Sequence, residues 1–245
     1  MRLQGKTAIV TGGSRGIGAS IAKVFAKEGA SVIVGYRSQA ESAEQVVADI
    51  VLQGGRASAV QADVTSPGDL AELCDASVID FGGLDIFVNN AGWAKLQPLD
   101  QIDAKLVTQQ LQTNVAGLIF GTQAAARVMN DGGRIINITS IAAKGGPGGS
   151  VYSATKAAGN TLTKCYAAEL GHRKITVNAI APAAVETDLY YEVGLDKNHE
   201  KALAATPLGW IGTADDVAKA ALFFASDDAE WITGEVLQVS GGRAM

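Results

Sequence analysis

The chain has little of what several familiar protein classes require. Its 245 residues include two cysteines, two histidines and five prolines. Cys74 and Cys165 fit no metal-ligand spacing and are too few for a disulfide framework. They are expected as small packed hydrophobes in a reducing compartment. His172 and His199 have no partners at ligand spacing, so no metal is expected and both are assigned to the surface. Charged residues make up 18%, the net charge is −5, and the 20 Lys and Arg residues are scattered. No basic stripe exists to follow a nucleic-acid backbone, which excludes nucleic acid as the expected partner. No apolar run exceeds strand length. The run 7–10 stops at Gly12 and Gly13, far short of a membrane span, and no targeting segment is visible. A soluble cytoplasmic protein with no membrane partner is the expectation.

What the chain does have is hydrophobicity, at 47%, and 29 glycines. Short apolar runs at 7–10, 31–35, 57–61, 84–88, 134–138, 176–180 and 236–239 alternate with longer helical patterns. Continuous Val/Ile runs, rather than alternating ones, predict strands buried on both faces of a parallel sheet. Ile17, Ile21 and Phe25 recur at helical steps, as do Val217, Ala221 and Ala225, with Leu203 in another such pattern. Repeated β-α units predict a three-layer α/β architecture, a doubly wound parallel sheet with helices on both faces. No linker or repeat divides the chain, so residues 1–245 are expected as a single domain.

The first run leads into Thr11-Gly12-Gly13-Ser14-Arg15-Gly16-Ile17-Gly18, followed by a helix. Glycines at such a turn let the backbone approach a pyrophosphate, which the N–H groups of the helix N-terminus hold. A dinucleotide is therefore expected at Gly12, Ser14, Arg15, Gly16, Ile17 and Gly18. The end of the second strand chooses its type, because an acid there would accept from an adenosine ribose and repel a 2′-phosphate. The sequence reads Tyr36-Arg37-Ser38 instead. Two guanidinium groups, Arg15 and Arg37, with the Ser38 hydroxyl suit a phosphate dianion, and NADP(H) is expected. A solvated arginine at a strand end is the alternative.

Tyr152 and Lys156 stand four apart where a helical pattern begins, so they share a face. A nearby ammonium favours phenolate and would bring the tyrosine toward the working range for proton exchange. An ordinary Tyr and Lys on an amphipathic helix is the competing reading. Ser140 ends the fifth apolar run, at a carboxyl strand end where open α/β sheets place ligands. Asn114 interrupts a helical pattern where asparagine is a poor former. It is open to a role in a proton path behind Lys156, or to being merely exposed or locally capped.

These motifs together resemble the short-chain dehydrogenase/reductases of single-domain, Rossmann-like type, over nearly the whole chain. The glycine loop matches that family's phosphate turn. Asp63-Val64 resembles its adenine-contacting pair, and Asn89-Asn90-Ala91-Gly92 its fourth-strand signature. Asn114, Ser140, Tyr152 and Lys156 match its catalytic tetrad. The segment through Pro182, Val185 and Thr187 resembles the one flanking the nicotinamide, and residues 234–242 the closing strand and glycine pair. Two departures stand out. Ser140 and Tyr152 are twelve apart, one fewer than in many members, which shortens the glycine-rich loop at 145–149. Ala183 follows Pro182 where the family has glycine.

The resemblance implies an NADP(H)-dependent carbonyl reductase or alcohol dehydrogenase that transfers the pro-S hydride. Ser140 would orient the carbonyl oxygen, Tyr152 donate the proton, and Lys156 tune the tyrosine and hold the nicotinamide ribose. Thr187 would hold the carboxamide. The implied substrate is a 3-oxoacyl thioester, as for 3-oxoacyl-[acyl-carrier-protein] reductases, or else an aromatic or polyketide-like ketone or a broad range of ketones. Trp93, Tyr190, Tyr191 and Trp210 are candidates for shaping its pocket. A non-catalytic dinucleotide-sensing module on the same fold is the alternative of a different class. A homotetramer is implied as well, in keeping with the helical patterns at 100–129 and 151–171, which carry apolar or small residues on more than one face.

Overall fold

In a computed structural model, residues 1–243 are described, and one seven-stranded sheet runs through them. The strands are β1 (Thr7–Thr11), β2 (Ser31–Tyr36), β3 (Arg56–Gln61), β4 (Leu84–Asn89), β5 (Met129–Ile138), β6 (Thr176–Pro182) and β7 (Val236–Val239). All pairings are parallel, in the order β3-β2-β1-β4-β5-β6-β7. The Rossmann-like, doubly wound α/β expectation holds.

The period of two along each strand divides the core in two. Ile9, Ile33, Phe87, Ile135 and Val177 point to one face and pack with Leu70, Leu73 and Ala125. Their neighbours Val10, Val32, Val34, Val88 and Ile136 point to the other and pack with Ile21, Phe25, Val217 and Phe224. Both faces are dry, which is why these strands carry unbroken apolar runs. The layer on the first face consists of α3 (Pro67–Phe81), α5 (Gly117–Val128) and α6 (Ser150–Leu170). On the second lie α1 (Gly16–Lys27), α2 (Ala40–Leu52) and α9 (Ala214–Ala225). Helix starts follow local chemistry. Ser66 accepts from the Asp69 N–H before Pro67, and Thr213 and Asp216 cap each other's backbone at α9.

Two expectations need correction. The helical pattern at 100–129 is not one helix. It divides into α4 (Ala104–Leu111), a π-helical turn (Gln112–Ala116) and α5, and Met129 already pairs with Leu84 as part of β5. The wide turn surrounds Asn114, whose side chain bonds to another segment. Cys165 is exposed on α6; only Cys74 is packed in the core, where burial pushes its thiol up to about 12. His199 is exposed as expected, yet its Nδ1 lies 3.0 Å from the phenol of buried Tyr190. Among the described residues no helix is long and apolar enough to cross a membrane, and no cluster of His, Cys, Asp and Glu could hold a metal.

The chain order reverses between β1 and β4. At such a switch point the loops from adjacent strand ends diverge and leave a crevice above the carboxyl edge.

Candidate active site

The crevice is a single cavity of about 730 Å³. Its floor begins at the glycine loop, whose shape depends on missing side chains. Gly12 and Gly16 have φ of 61° and 54°, values that side chains rarely tolerate. A Cβ on Gly18 would sit 2.3 Å from the Gly12 carbonyl oxygen and 2.5 Å from Asn90 Nδ2. The loop is also clamped to β4. The Thr11 hydroxyl donates to the Val88 carbonyl and accepts from the N–H groups of Asn90 and Ala91, while Asn90 Nδ2 donates to the carbonyls of Thr11 and Gly12. The clamp was not anticipated from the sequence.

Gly12, Ser14, Arg15, Gly16 and Ile17 line the cavity, as do Arg37 and Ser38 at the end of β2. Gly18 acts from behind, through close packing. Tyr36 is a correction: its ring packs against the core on the α1 side and does not line the cavity. Strand alternation turns residue 36 away when Arg37 faces the crevice. Arg15 is not open-handed. Its guanidinium holds Asp188 at 3.0 Å and Glu192 at 2.9 Å, tying the glycine loop to α7 (Asp188–Glu192). Arg37 stands 4.0 Å from Asp63, is largely exposed, and lines the cavity.

Asp63 and Val64 line one wall, and Asn90, Ala91 and Gly92 another. The Asp63 carboxylate accepts from the N–H and hydroxyl of Thr65, fixing this turn. Pro182, Val185 and Thr187 close the far side above β6.

Ser140, Tyr152 and Lys156 open onto the same cavity. Ser140 leaves β5 and caps a short 3-10 turn by accepting from the Ala142 N–H. Its hydroxyl is also hydrogen-bonded to the Tyr152 phenol. Burial pushes that phenol up to about 12, and the Ser140 bond pulls the other way. This corrects the expected tuning: desolvation dominates, so the phenol holds its proton. Lys156 Nζ lies 5.7 Å from the centre of the Tyr152 ring and donates to the Ile138 carbonyl at 2.8 Å. Burial lowers its ammonium to about 8.

Asn114 stands behind this group, outside the main cavity and 6% exposed. Its Oδ1 accepts from the Trp93 N–H, and its Nδ2 donates to the Trp93 carbonyl and to the Thr155 hydroxyl. It is neither exposed nor locally capped. A second cavity of about 10 Å³, room for one water, lies among Asn114, Thr139, Thr155 and Lys156. Beneath it, Asn89 donates to Thr122 and Asn137, and Asn137 to Thr163, joining β4 and β5 to α5 and α6.

Trp93, Leu96, Ile141, Leu189, Tyr190 and Val193 give the cavity an apolar wall. Tyr191 and Trp210 do not line it. Lys144 and Arg243 do, and neither was singled out from the sequence.

A strand-loop-helix crevice of this form, with a Ser-Tyr-Lys group at its centre, is the site of a Rossmann-like oxidoreductase. Comparison with known proteins narrows the class. The family model described as "Enoyl-(Acyl carrier protein) reductase" matches residues 12–244. The hydroxynaphthalene reductase of Aspergillus fumigatus is 42% identical over 95% of this chain and 90% of its own. The versicolorin reductase of Emericella nidulans is 39% identical over 98% and 96%. A short-chain dehydrogenase from Burkholderia cenocepacia, solved in complex with NADP, superposes with a TM-score of 0.94, at 41% identity and full coverage of both chains. The chain belongs to the short-chain dehydrogenase/reductase family.

Proposed function

We propose that the chain is an NADP(H)-dependent reductase of aromatic or polyketide-type ketones. The observation that carries this is the Ser140–Tyr152 pair, which opens onto the same cavity as the glycine loop and Arg37. That cavity has the size of a small-molecule site. Its residues fit a nicotinamide dinucleotide. The glycine turn would bring backbone N–H groups to a pyrophosphate, Arg37 and Ser38 would hold a 2′-phosphate, and no acid stands at position 36. When bound, the cofactor supplies the hydride.

The remaining chemistry belongs to the chain. Ser140 donates to the substrate carbonyl oxygen and holds it beside the Tyr152 phenol. Tyr152 hands over its proton as charge develops on that oxygen, and a phenol kept protonated by burial is loaded for this step. The resulting phenolate is stabilised by Ser140 and by the ammonium of Lys156. Asn114 fixes Trp93 on the crevice wall and Thr155 beside the single-water cavity, through which Lys156 can be resupplied with a proton.

The aromatic-ketone reading draws on the apolar wall and on two relatives named as reductases of hydroxynaphthalenes and versicolorin. The 3-oxoacyl thioester expectation has no such specific support. Homotetramerisation and a cytoplasmic location are part of the proposal. Exposed Leu99, Leu111 and Trp231, the last 97% exposed, support association, and two unpaired thiols suit a reducing compartment. A panel of an aromatic ketone, a 3-oxoacyl thioester and an enoyl thioester with NADPH tests the activity through loss of reduced-cofactor absorbance. Reduction of the aromatic ketone is expected. Binding of NADPH without oxidation by any of the three would favour a dinucleotide sensor.

A further inference from the structure

The last described residues fold back on the substrate end of the crevice. Gly241 and Gly242 have φ of 59° and 84°. A Cβ on Gly241 would meet Thr206 at 2.7 Å, and one on Gly242 would press on the Pro207 ring at 3.0–3.3 Å. The Gly241 carbonyl accepts from the Leu208 N–H, and the Arg243 N–H donates to the Ser240 carbonyl. The glycine pair thus seats this segment flat against residues 206–208 and brings Arg243 to the cavity wall.

Arg243 differs from the other arginines of the cavity. Arg15 is shared between Asp188 and Glu192, which confines those acids' charge to the glycine-loop end, and Arg37 faces Asp63. Arg243 makes no ion pair among the described residues. It is half-buried, and its charge is felt at the phenol of Tyr190, itself 3% exposed and on the apolar wall. Glu186 and Asp196, whose charges also reach Tyr190, do not line the cavity. The site thus offers a proton donor at Tyr152, an apolar wall and a guanidinium at Arg243. A half-buried arginine with no carboxylate partner among the described residues gains most from a planar anion that it can grip through two parallel bonds.

We propose that Arg243 receives a carboxylate on the substrate, so that the ketone reduced by this chain is an organic anion whose charged group lies distal to its carbonyl. This rests on the ketone-reductase reading and specifies its substrate class. Arg243 binds and positions; it takes no part in the transfer of hydride or proton.

The test compares acetylnaphthoate with its methyl ester in wild type, Arg243→Gln and Arg243→Lys, each first confirmed as folded by circular dichroism. The carboxylate-to-ester ratio of kcat/KM should fall about tenfold or more in Arg243→Gln, mainly through KM, and recover in part in Arg243→Lys. An unchanged ratio overturns the proposal. So does a loss of NADPH affinity as large as the loss for the carboxylate, which would make Arg243 a cofactor residue. A calorimetric titration of the NADPH-loaded protein with naphthoate, which cannot be reduced, separates the two readings. If neither ketone turns over, the reductase reading fails, and naphthoate binding still decides Arg243. Weaker binding in Arg243→Gln supports its anion role, and equal binding in both proteins removes it.

Discussion

Asn114 satisfies both backbone groups of Trp93, accepting from its N–H and donating to its carbonyl, each at 2.8 Å. Trp93 stands on the cavity wall just after β4, so a residue that never reaches the crevice sets the position of one that does. The π-helical turn is the local cost of placing an amide there. Asn114→Leu would leave the Trp93 N–H and carbonyl and the Thr155 hydroxyl short of partners. We expect a loss of about 2–4 kcal/mol in denaturant unfolding and a lower kcat. Wild-type stability in this variant would detach Trp93 from Asn114.

Tyr152→Phe removes the proton but keeps the ring. Turnover should fall about 10²–10⁴-fold in kcat and kcat/KM together, with NADPH affinity nearly unchanged. Activity within tenfold of wild type would leave the mechanism without its acid.

Lys156 carries a buried ammonium whose value falls from the ordinary 10.5 to about 8. Below pH 8 both folded and unfolded chains hold this proton, and the folded state bears the full desolvation penalty. Between about 8 and 10.5 the unfolded chain binds more protons, so this group's contribution to stability rises with pH. Lys156→Met should therefore be more stable than wild type at pH 7, by up to about 3 kcal/mol, with the gap closing toward pH 10. Its turnover should be severely reduced. Urea unfolding of both proteins across this range checks the sign; a gap that widened with pH would contradict it.

Arg37→Ala should weaken NADPH binding by about tenfold or more and leave NADH binding within about twofold, because only the former carries the 2′-phosphate. Fluorescence titration with both cofactors measures this. Equal losses would place Arg37 outside phosphate recognition.

Gly18→Ala adds one methyl group where the Gly12 carbonyl stands 2.3 Å away. The turn must open, and cofactor affinity and thermal stability should fall together. A variant that bound NADPH normally would show the loop to be more yielding than its packing implies.

The strands, the glycine turn and the Tyr152–Lys156 pair were legible because each leaves a local mark: unbroken Val/Ile runs, glycine spacing, and a Tyr and Lys on one helical face. What could not be read depends on partners remote in the chain. The π-helical turn follows from Asn114 reaching Trp93, 21 residues away. The Thr11–Asn90 clamp spans 79 residues, and no periodicity records it. The proton affinity of Tyr152 was expected from its neighbour Lys156, whereas burial by the assembled crevice governs it. Tyr36 was placed by its position beside Arg37, but in a strand adjacent residues face opposite ways.

Arg15 holds the glycine loop and the α7 wall of the cavity in one hand, through Asp188 and Glu192. Linkage then requires that what one ligand does to this grip, the other feels in equal measure. On the proposed function, cofactor choice and substrate choice are one inheritance: a lineage that altered residue 188 or 192 to admit a new ketone would also revise its hold on the dinucleotide.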